Sequence, residues 1–335
     1  MPFPFPSVYS DQENVEVVAY VPEQRGVFPM SLSAKAAVSV MQLIKRLHLL
    51  PPVRDLDTEI ARAKKYNQRA CYVEPKDRKA RYATETIGNY PVLVMTQPDA
   101  SHQKALLFLH GGGNKDTWKP EVSIARDYGK RSAMDVFYPL YPPFTEASVT
   151  VTADFLYQVY EEVARRYGAE NVAVIGGSYG GLLAMQLLTW INRDGQRLEM
   201  PGVLIMNSPF ALPKTPAEWA LAESLEQNDF LVPPGALRLM QEGILRADPH
   251  TPDYALYPDD MDFHRAPETY VFYGEESCAC VADAISHSFA RDGAPLHMHT
   301  EPGMMHCYAC VPVFPESKRD YARQIALLRD RPPRT

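Results

Sequence analysis

Residues 176–180 read Gly-Gly-Ser-Tyr-Gly, a Gly-x-Ser-x-Gly pentapeptide. The apolar run Asn171-Val-Ala-Val-Ile175 precedes it, and the helical pattern Gly181-Leu-Leu-Ala-Met-Gln-Leu-Leu-Thr-Trp190 follows. A serine on a strand-to-helix corner is forced outward, because the chain must reverse within a few residues. Gly176 and Gly180 flank it where a Cβ would meet the adjoining strand and helix. The pattern therefore predicts an exposed Ser178 hydroxyl at a helix N-terminus, suited to nucleophilic attack.

A serine hydroxyl is a weak nucleophile at neutral pH and needs a general base within hydrogen-bond reach. The base needs an orienting acid, and the developing oxyanion needs fixed N–H donors. The sequence offers a candidate for each. His110-Gly-Gly-Gly113 follows the strand-like Lys104-Ala-Leu-Leu-Phe-Leu109. Consecutive glycines let the main chain approach a substrate and turn its amides inward. Gly112 and Gly113, with the amide of Tyr179, are the expected oxyanion hole, and Gly111 is the alternative. His306 is the expected base, on the loop after the strand-like Leu296–Thr300. The chain has nine histidines, so position rather than residue type selects it. His297 and His299 alternate in a strand pattern that predicts outward-facing rings. Glu276, in the turn after Glu268–Tyr273, is the expected acid; Glu275 and Asp283 compete for that role.

Together these segments resemble the α/β-hydrolase fold, and more closely the hormone-sensitive-lipase-like carboxylesterases. Four stretches carry the resemblance: His110-Gly-Gly-Gly113, Tyr138-Pro-Leu-Tyr-Pro142, the Ser178 elbow, and the closing Gly293 to His306 stretch that ends Gly-Met-Met-His. At the elbow Gly177 stands where the family usually has Asp, and Tyr179 where it has Ala. Gly-Gly-Ser-Tyr-Gly-Gly looks more like the elbow of prolyl-oligopeptidase-type peptidases. The resemblance implies ester hydrolysis through an acyl-enzyme, with Ser178, Glu276 and His306 as triad, and it allows a homodimer.

Strands alternating with helices predict an α/β fold, with a mostly parallel sheet flanked by helices. Expected strands are 92–95, 105–109, 134–138, 172–175, 203–206, 270–273 and 296–300. Expected helices are 151–167, 181–192 and 318–329. Residues 30–72 and 208–262 fall outside this rhythm but carry helical pieces, and they suit a cap over the serine. The expected organisation is an N-terminal extension with part of the cap (1–80), a first core segment (81–207), a cap insertion (208–265) and a second core segment (266–335).

The 335 residues are 46% hydrophobic, enough for a sizeable core. A formal net charge of −7 argues against nucleic acid as a partner. No run approaches the roughly 18 apolar residues of a membrane helix. The opening Met-Pro-Phe-Pro-Phe-Pro lacks the pattern of a secretory signal, so a cytoplasmic enzyme with a small-molecule ester substrate is expected. Five cysteines are present: Cys71, Cys278, Cys280, Cys307 and Cys310. Four flank the acid and histidine loops, which the fold brings together, so their thiols are expected near one another. They lack paired Cys-x-x-Cys knuckles, and neither a metal nor a cofactor is expected. The competing readings are an amide or peptide hydrolase, an acyltransferase and a non-catalytic small-molecule binder.

Overall fold

The computed structural model describes residues 30–46, 55–69, 80–98, 100–114, 119–195, 197–226, 229 and 231–330. Cys71 and the N-terminal hexapeptide lie outside them.

One eight-stranded sheet organises the chain. Its strands are β1 (Arg81–Ile87), β2 (Tyr90–Thr96), β3 (Ala105–Leu109), β4 (Asp135–Pro139), β5 (Val172–Gly177), β6 (Val203–Asn207), β7 (Thr269–Tyr273) and β8 (Leu296–Thr300), in the order β1-β2-β4-β3-β5-β6-β7-β8. β2 is antiparallel to β1 and β4; from β4 to β8 all pairs are parallel. The continuous apolar runs of β3, β4 and β6 are buried along their whole length, as parallel strands covered on both faces must be.

Alternate side chains of the strands feed two cores. Leu107 and Leu109 face the layer of α4 (Val149–Tyr167), α5 (Tyr179–Arg193) and α8 (Ala282–Arg291). Leu106 and Phe108 face α3 (Lys119–Ser132) and α9 (Pro315–Arg329), through Val122, Ala125, Tyr128, Tyr321, Ile325 and Leu328. The period-2 alternation of a strand forces this split. β1 and α3 are additions to the expected elements. β1 is polar and mostly exposed, which hides its strand pattern.

Helices α1 (Leu32–Arg46), α2 (Leu56–Arg69), α6 (Pro216–Leu225) and α7 (Ala236–Ala247) come from the two segments outside the core rhythm. α6 starts on a capping box: the Thr215 hydroxyl accepts the Glu218 amide hydrogen, and the Glu218 carboxylate accepts from the Thr215 amide. The two segments meet. Arg246 of α7 pairs with Asp57 of α2 at 2.6 Å. A Cβ on Gly243 would lie 2.5 Å from the Phe144 ring and 3.4 Å from Leu56, so glycine permits this close packing. No helix among the described residues is long and apolar enough to cross a membrane.

Candidate active site

β5 ends in Gly176-Gly177, and α5 begins at Tyr179. Between them Ser178 has φ 52° and ψ −119°, a region L-residues rarely enter. Tight surroundings hold it there. The Ser178 amide donates to Asn207 O at 2.9 Å, and its carbonyl accepts from Gly181 at 2.8 Å and Phe210 at 2.9 Å. A Cβ on Gly176 would lie 2.4 Å from Gly180 O, and one on Gly180 would lie 2.1 Å from Leu109 O. Both glycines are thus required by backbone contact. Ser178 is half-buried, and its hydroxyl does not cap its own helix, so it remains available for other chemistry.

The glycine loop after β3 sits beside this corner. The Gly111 amide donates to Glu121 Oε1 at 2.8 Å, which occupies the alternative oxyanion donor. Gly112 has φ 66°, and a Cβ on Gly113 would lie 2.6 Å from the Tyr179 ring. Among the described residues the amides of Gly112, Gly113 and Tyr179 have no protein acceptor. His110 does not face solvent. It is fully buried and stacks on Tyr141 at 4.0 Å and on Tyr138 at 5.2 Å. The Tyr141 hydroxyl donates to the His110 carbonyl. The Tyr138-Pro-Leu-Tyr-Pro142 segment therefore braces the glycine loop.

Glu276 and His306 meet across the two loops after β7 and β8. The Glu276 carboxylate faces His306 Nδ1; the carboxylate is fully buried and the histidine nearly so. A Cβ on Gly274 would lie 2.2 Å from Met304 O, which shows how closely the loops pass. Burial pushes the Glu276 pKa up, against the pull of His306. Burial opposes the imidazolium, but the Cys307 sulfur and the Glu276 carboxylate outweigh it and hold the His306 pKa well above its ordinary value. The competitors lie elsewhere: Glu275 accepts the Gly303 amide hydrogen at 3.0 Å, and Asp283 is exposed on α8.

The chain also matches the model of the α/β-hydrolase-fold family over residues 106–310. This protein belongs to that family. Among solved structures, this α/β hydrolase resembles an esterase from the bacterial hormone-sensitive lipase family (TM-score 0.73, 18% identity, 90% of this chain and 99% of that one). It also resembles a hormone-sensitive lipase from a metagenome library (TM-score 0.72, 19% identity, 89% and 99%). A third likeness is to EstE5, in a crystal soaked with p-nitrophenyl butyrate (TM-score 0.72, 18% identity, 90% and 98%). Among curated proteins no match is found.

One expectation is corrected. His299 does not face outward. Its side chain is only 18% exposed, and its Nε2 lies 3.1 Å from Glu301 and 3.4 Å from Asp320, because α9 brings Asp320 to that face of β8. His297 is the exposed one, paired with Glu268 at 2.7 Å and stacked on Tyr270. The four described cysteines are free. Cys278 and Cys307 both adjoin His306, and the Cys310 thiol donates to the Cys307 carbonyl at 3.1 Å.

Sequence reasoning missed Glu121, Asn207 and Gln324. Gln324 exchanges hydrogen bonds with the Asn207 amide at 2.8 and 3.1 Å, accepts from the Tyr128 hydroxyl at 2.7 Å and donates to Ala309 O at 3.2 Å. This buried network ties the end of β6, and with it the Ser178 amide, to the segment after His306.

Proposed function

We propose that this α/β hydrolase is a serine carboxylesterase acting on short- to medium-chain acyl esters. Ser178 Oγ attacks the carbonyl carbon, and His306 Nε2 takes the hydroxyl proton. The Glu276 carboxylate keeps the proton of His306 on Nδ1, so Nε2 stays a base. The amides of Gly112, Gly113 and Tyr179 stabilise the oxyanion. Collapse of the tetrahedral intermediate expels the alcohol, which takes its proton from His306, and leaves an acyl-enzyme. Water, activated by the same imidazole, then releases the acid.

The buried Glu276–His306 pair carries this reading. A carboxylate withdrawn wholly from water is costly unless a partner compensates it, and here the partner is an imidazole on the loop after the last parallel strand. The strained Ser178 corner supports the nucleophile's role, since such strain clusters where chemistry requires a fixed geometry. The esterases and lipase named above share the fold, and the soak of EstE5 supports a short acyl ester as the first substrate to try.

The two helical segments outside the core are read as a cap. Phe144 packs between Gly243 of α7 and the Tyr179 ring, whose centroid is 6.0 Å from its own. α7 is thereby linked to the residue after Ser178. The test is hydrolysis of p-nitrophenyl esters from acetate to a long acyl chain, by the natural chain and Ser178→Ala. Turnover of the short esters that disappears in the variant is expected. Turnover that survives the substitution overturns the reading.

A further inference from the structure

The thiol of Cys278 has no task in ester hydrolysis, yet it stands beside the two residues proposed to run it. One donor atom each from Glu276, Cys278 and His306 lies within 4.8 Å of the other two. All three residues are buried: Glu276 0%, Cys278 3% and His306 7% exposed. The second carboxylate oxygen, Glu276 Oε1, is buried and has no hydrogen-bond partner among the described residues. An unpartnered buried carboxylate oxygen is an unmet demand for a proton or a cation.

We infer that Glu276, Cys278 and His306 form a binding site for a soft divalent transition-metal ion such as Zn2+, and that occupancy silences Ser178. The donor set favours this class of ion. Thiolate and imidazole select zinc-like metals, whereas magnesium and calcium want oxygen alone. Zinc takes His, Cys and carboxylate ligands at roughly 2.0–2.3 Å. Tetrahedral geometry at those lengths sets ligands roughly 3.5 Å apart, so the donor atoms need only a modest shift, in which the Glu276 carboxylate and Nδ1 give up their hydrogen bond and move apart to admit the ion. The thiolate and carboxylate together balance the charge of the ion, so the loaded site buries no net charge.

The same step explains the silencing. In the base form that ester hydrolysis uses, the imidazole is neutral with its proton on Nδ1, facing Glu276, and the thiol holds its own proton. The metal bonds to sulfur, to Nδ1 and to a carboxylate oxygen. The thiol proton leaves to solvent. The Nδ1 proton is displaced, and the ring, still neutral, carries one at Nε2 through exchange with water. Nε2 then donates instead of accepting, and the Ser178 proton has no acceptor.

The metal site stands on geometry alone; only its inhibitory effect rests on the proposed function. The experiment uses the full-length, metal-stripped protein. Cobalt(II) titration reads sulfur ligation through thiolate charge-transfer absorption, and equilibrium dialysis with Zn2+ reads stoichiometry. Turnover of a p-nitrophenyl ester is followed under buffered Zn2+ and after chelation. One cobalt per chain with the thiolate band is expected, together with inhibition that a chelator reverses. Cys278→Ala is expected to lose the band and, relative to its own zinc-free rate, to need about 100-fold more zinc for inhibition. Cys280→Ala, two residues away and outside the donor group, is expected to bind cobalt like the natural chain. Should Cys278→Ala fail to fold, X-ray absorption of the zinc-loaded natural chain decides, through a sulfur neighbour at about 2.3 Å. Absence of binding, binding without sulfur, or equal zinc sensitivity in both chains overturns the site. A cobalt band in a protein that hydrolyses no ester supports the site and overturns the esterase reading. Ester turnover in a protein with no cobalt band does the reverse.

Discussion

The ring of Tyr179 lies against Gly113 so closely that a Cβ there would come within 2.6 Å of its Cγ. A large aromatic thus fills the space directly beneath the glycine loop, where the resembling carboxylesterases carry alanine. The ring is fully buried, and Phe144 and Phe210 are its aromatic neighbours. It sets how near the Gly113 amide can come to the Ser178 corner.

The Tyr179 hydroxyl is buried without a hydrogen-bond partner among the described residues. Leaving a hydroxyl unsatisfied costs about 1–3 kcal/mol. Tyr179→Phe keeps the ring and removes that cost. We expect the variant to be more stable by about 1 kcal/mol in denaturant unfolding and to retain its ester turnover. A large loss of turnover with stability intact would instead place the hydroxyl against substrate.

Glu276→Gln replaces an acceptor with an amide that can donate to Nδ1. The imidazole is then free to hold its proton on Nε2, the wrong tautomer for a base. A fall in kcat of about 10⁴-fold is expected, with little change in KM. Glu275→Gln, one position away and bonded to Gly303, is expected to keep kcat within a few-fold. Equal losses in the two variants would remove Glu276 from the triad.

Much of this site could be read from the chain because its parts are local. The Ser178 corner needs only a strand, two small residues and a helix in succession. Choosing Glu276 over Glu275 turned on a single position. Glu121, Gln324 and Asp320 were not legible, because each serves a segment its own sequence neighbourhood does not contain. Gln324 follows Asn207 by 117 residues, and nothing near either one announces the other. The missed β1 had a local signal: Gly88-Asn89 is a two-residue turn between β1 and β2 of the kind hairpins favour. The polar face of β1 obscured it. α3 carries Val122, Ala125 and Tyr128 at three-residue spacing, but its remaining positions are largely polar.

Ser178 holds φ 52° and ψ −119°, a conformation costing about 1–3 kcal/mol for a residue with a Cβ. Ser178→Gly removes the proposed nucleophile and the strain together. It is expected to be inactive yet more stable than Ser178→Ala by about 1 kcal/mol, visible as a rise of about 1–2 °C in Tm. The alanine variant keeps the Cβ and is the proper reference. Equal melting temperatures for the two would show that the corner stores no strain.

The cluster of His299, Glu301, Asp320 and Arg319 gives a pH-dependent prediction remote from Ser178. Burial opposes the charged imidazole, but hydrogen bonds to Asp320 and Glu301 prevail and raise the His299 pKa. Burial likewise opposes the carboxylates, yet bonds from His299 and Arg319 prevail and lower the pKa of both. A raised histidine stabilises the fold fully below its unfolded value, about 6.5, and ceases to as pH rises through the folded value. The lowered carboxylates act oppositely, losing their contribution only as pH falls toward their own range. His299→Gln should therefore cost most stability at about pH 5–6, where imidazolium and carboxylates are all charged. The gap to the natural chain should narrow as pH rises through the raised folded value, where the imidazole loses its charge in the folded chain as well. Denaturant unfolding of both proteins across this range measures it, and a gap that stays constant or widens with rising pH would show that His299 acts here through packing rather than charge.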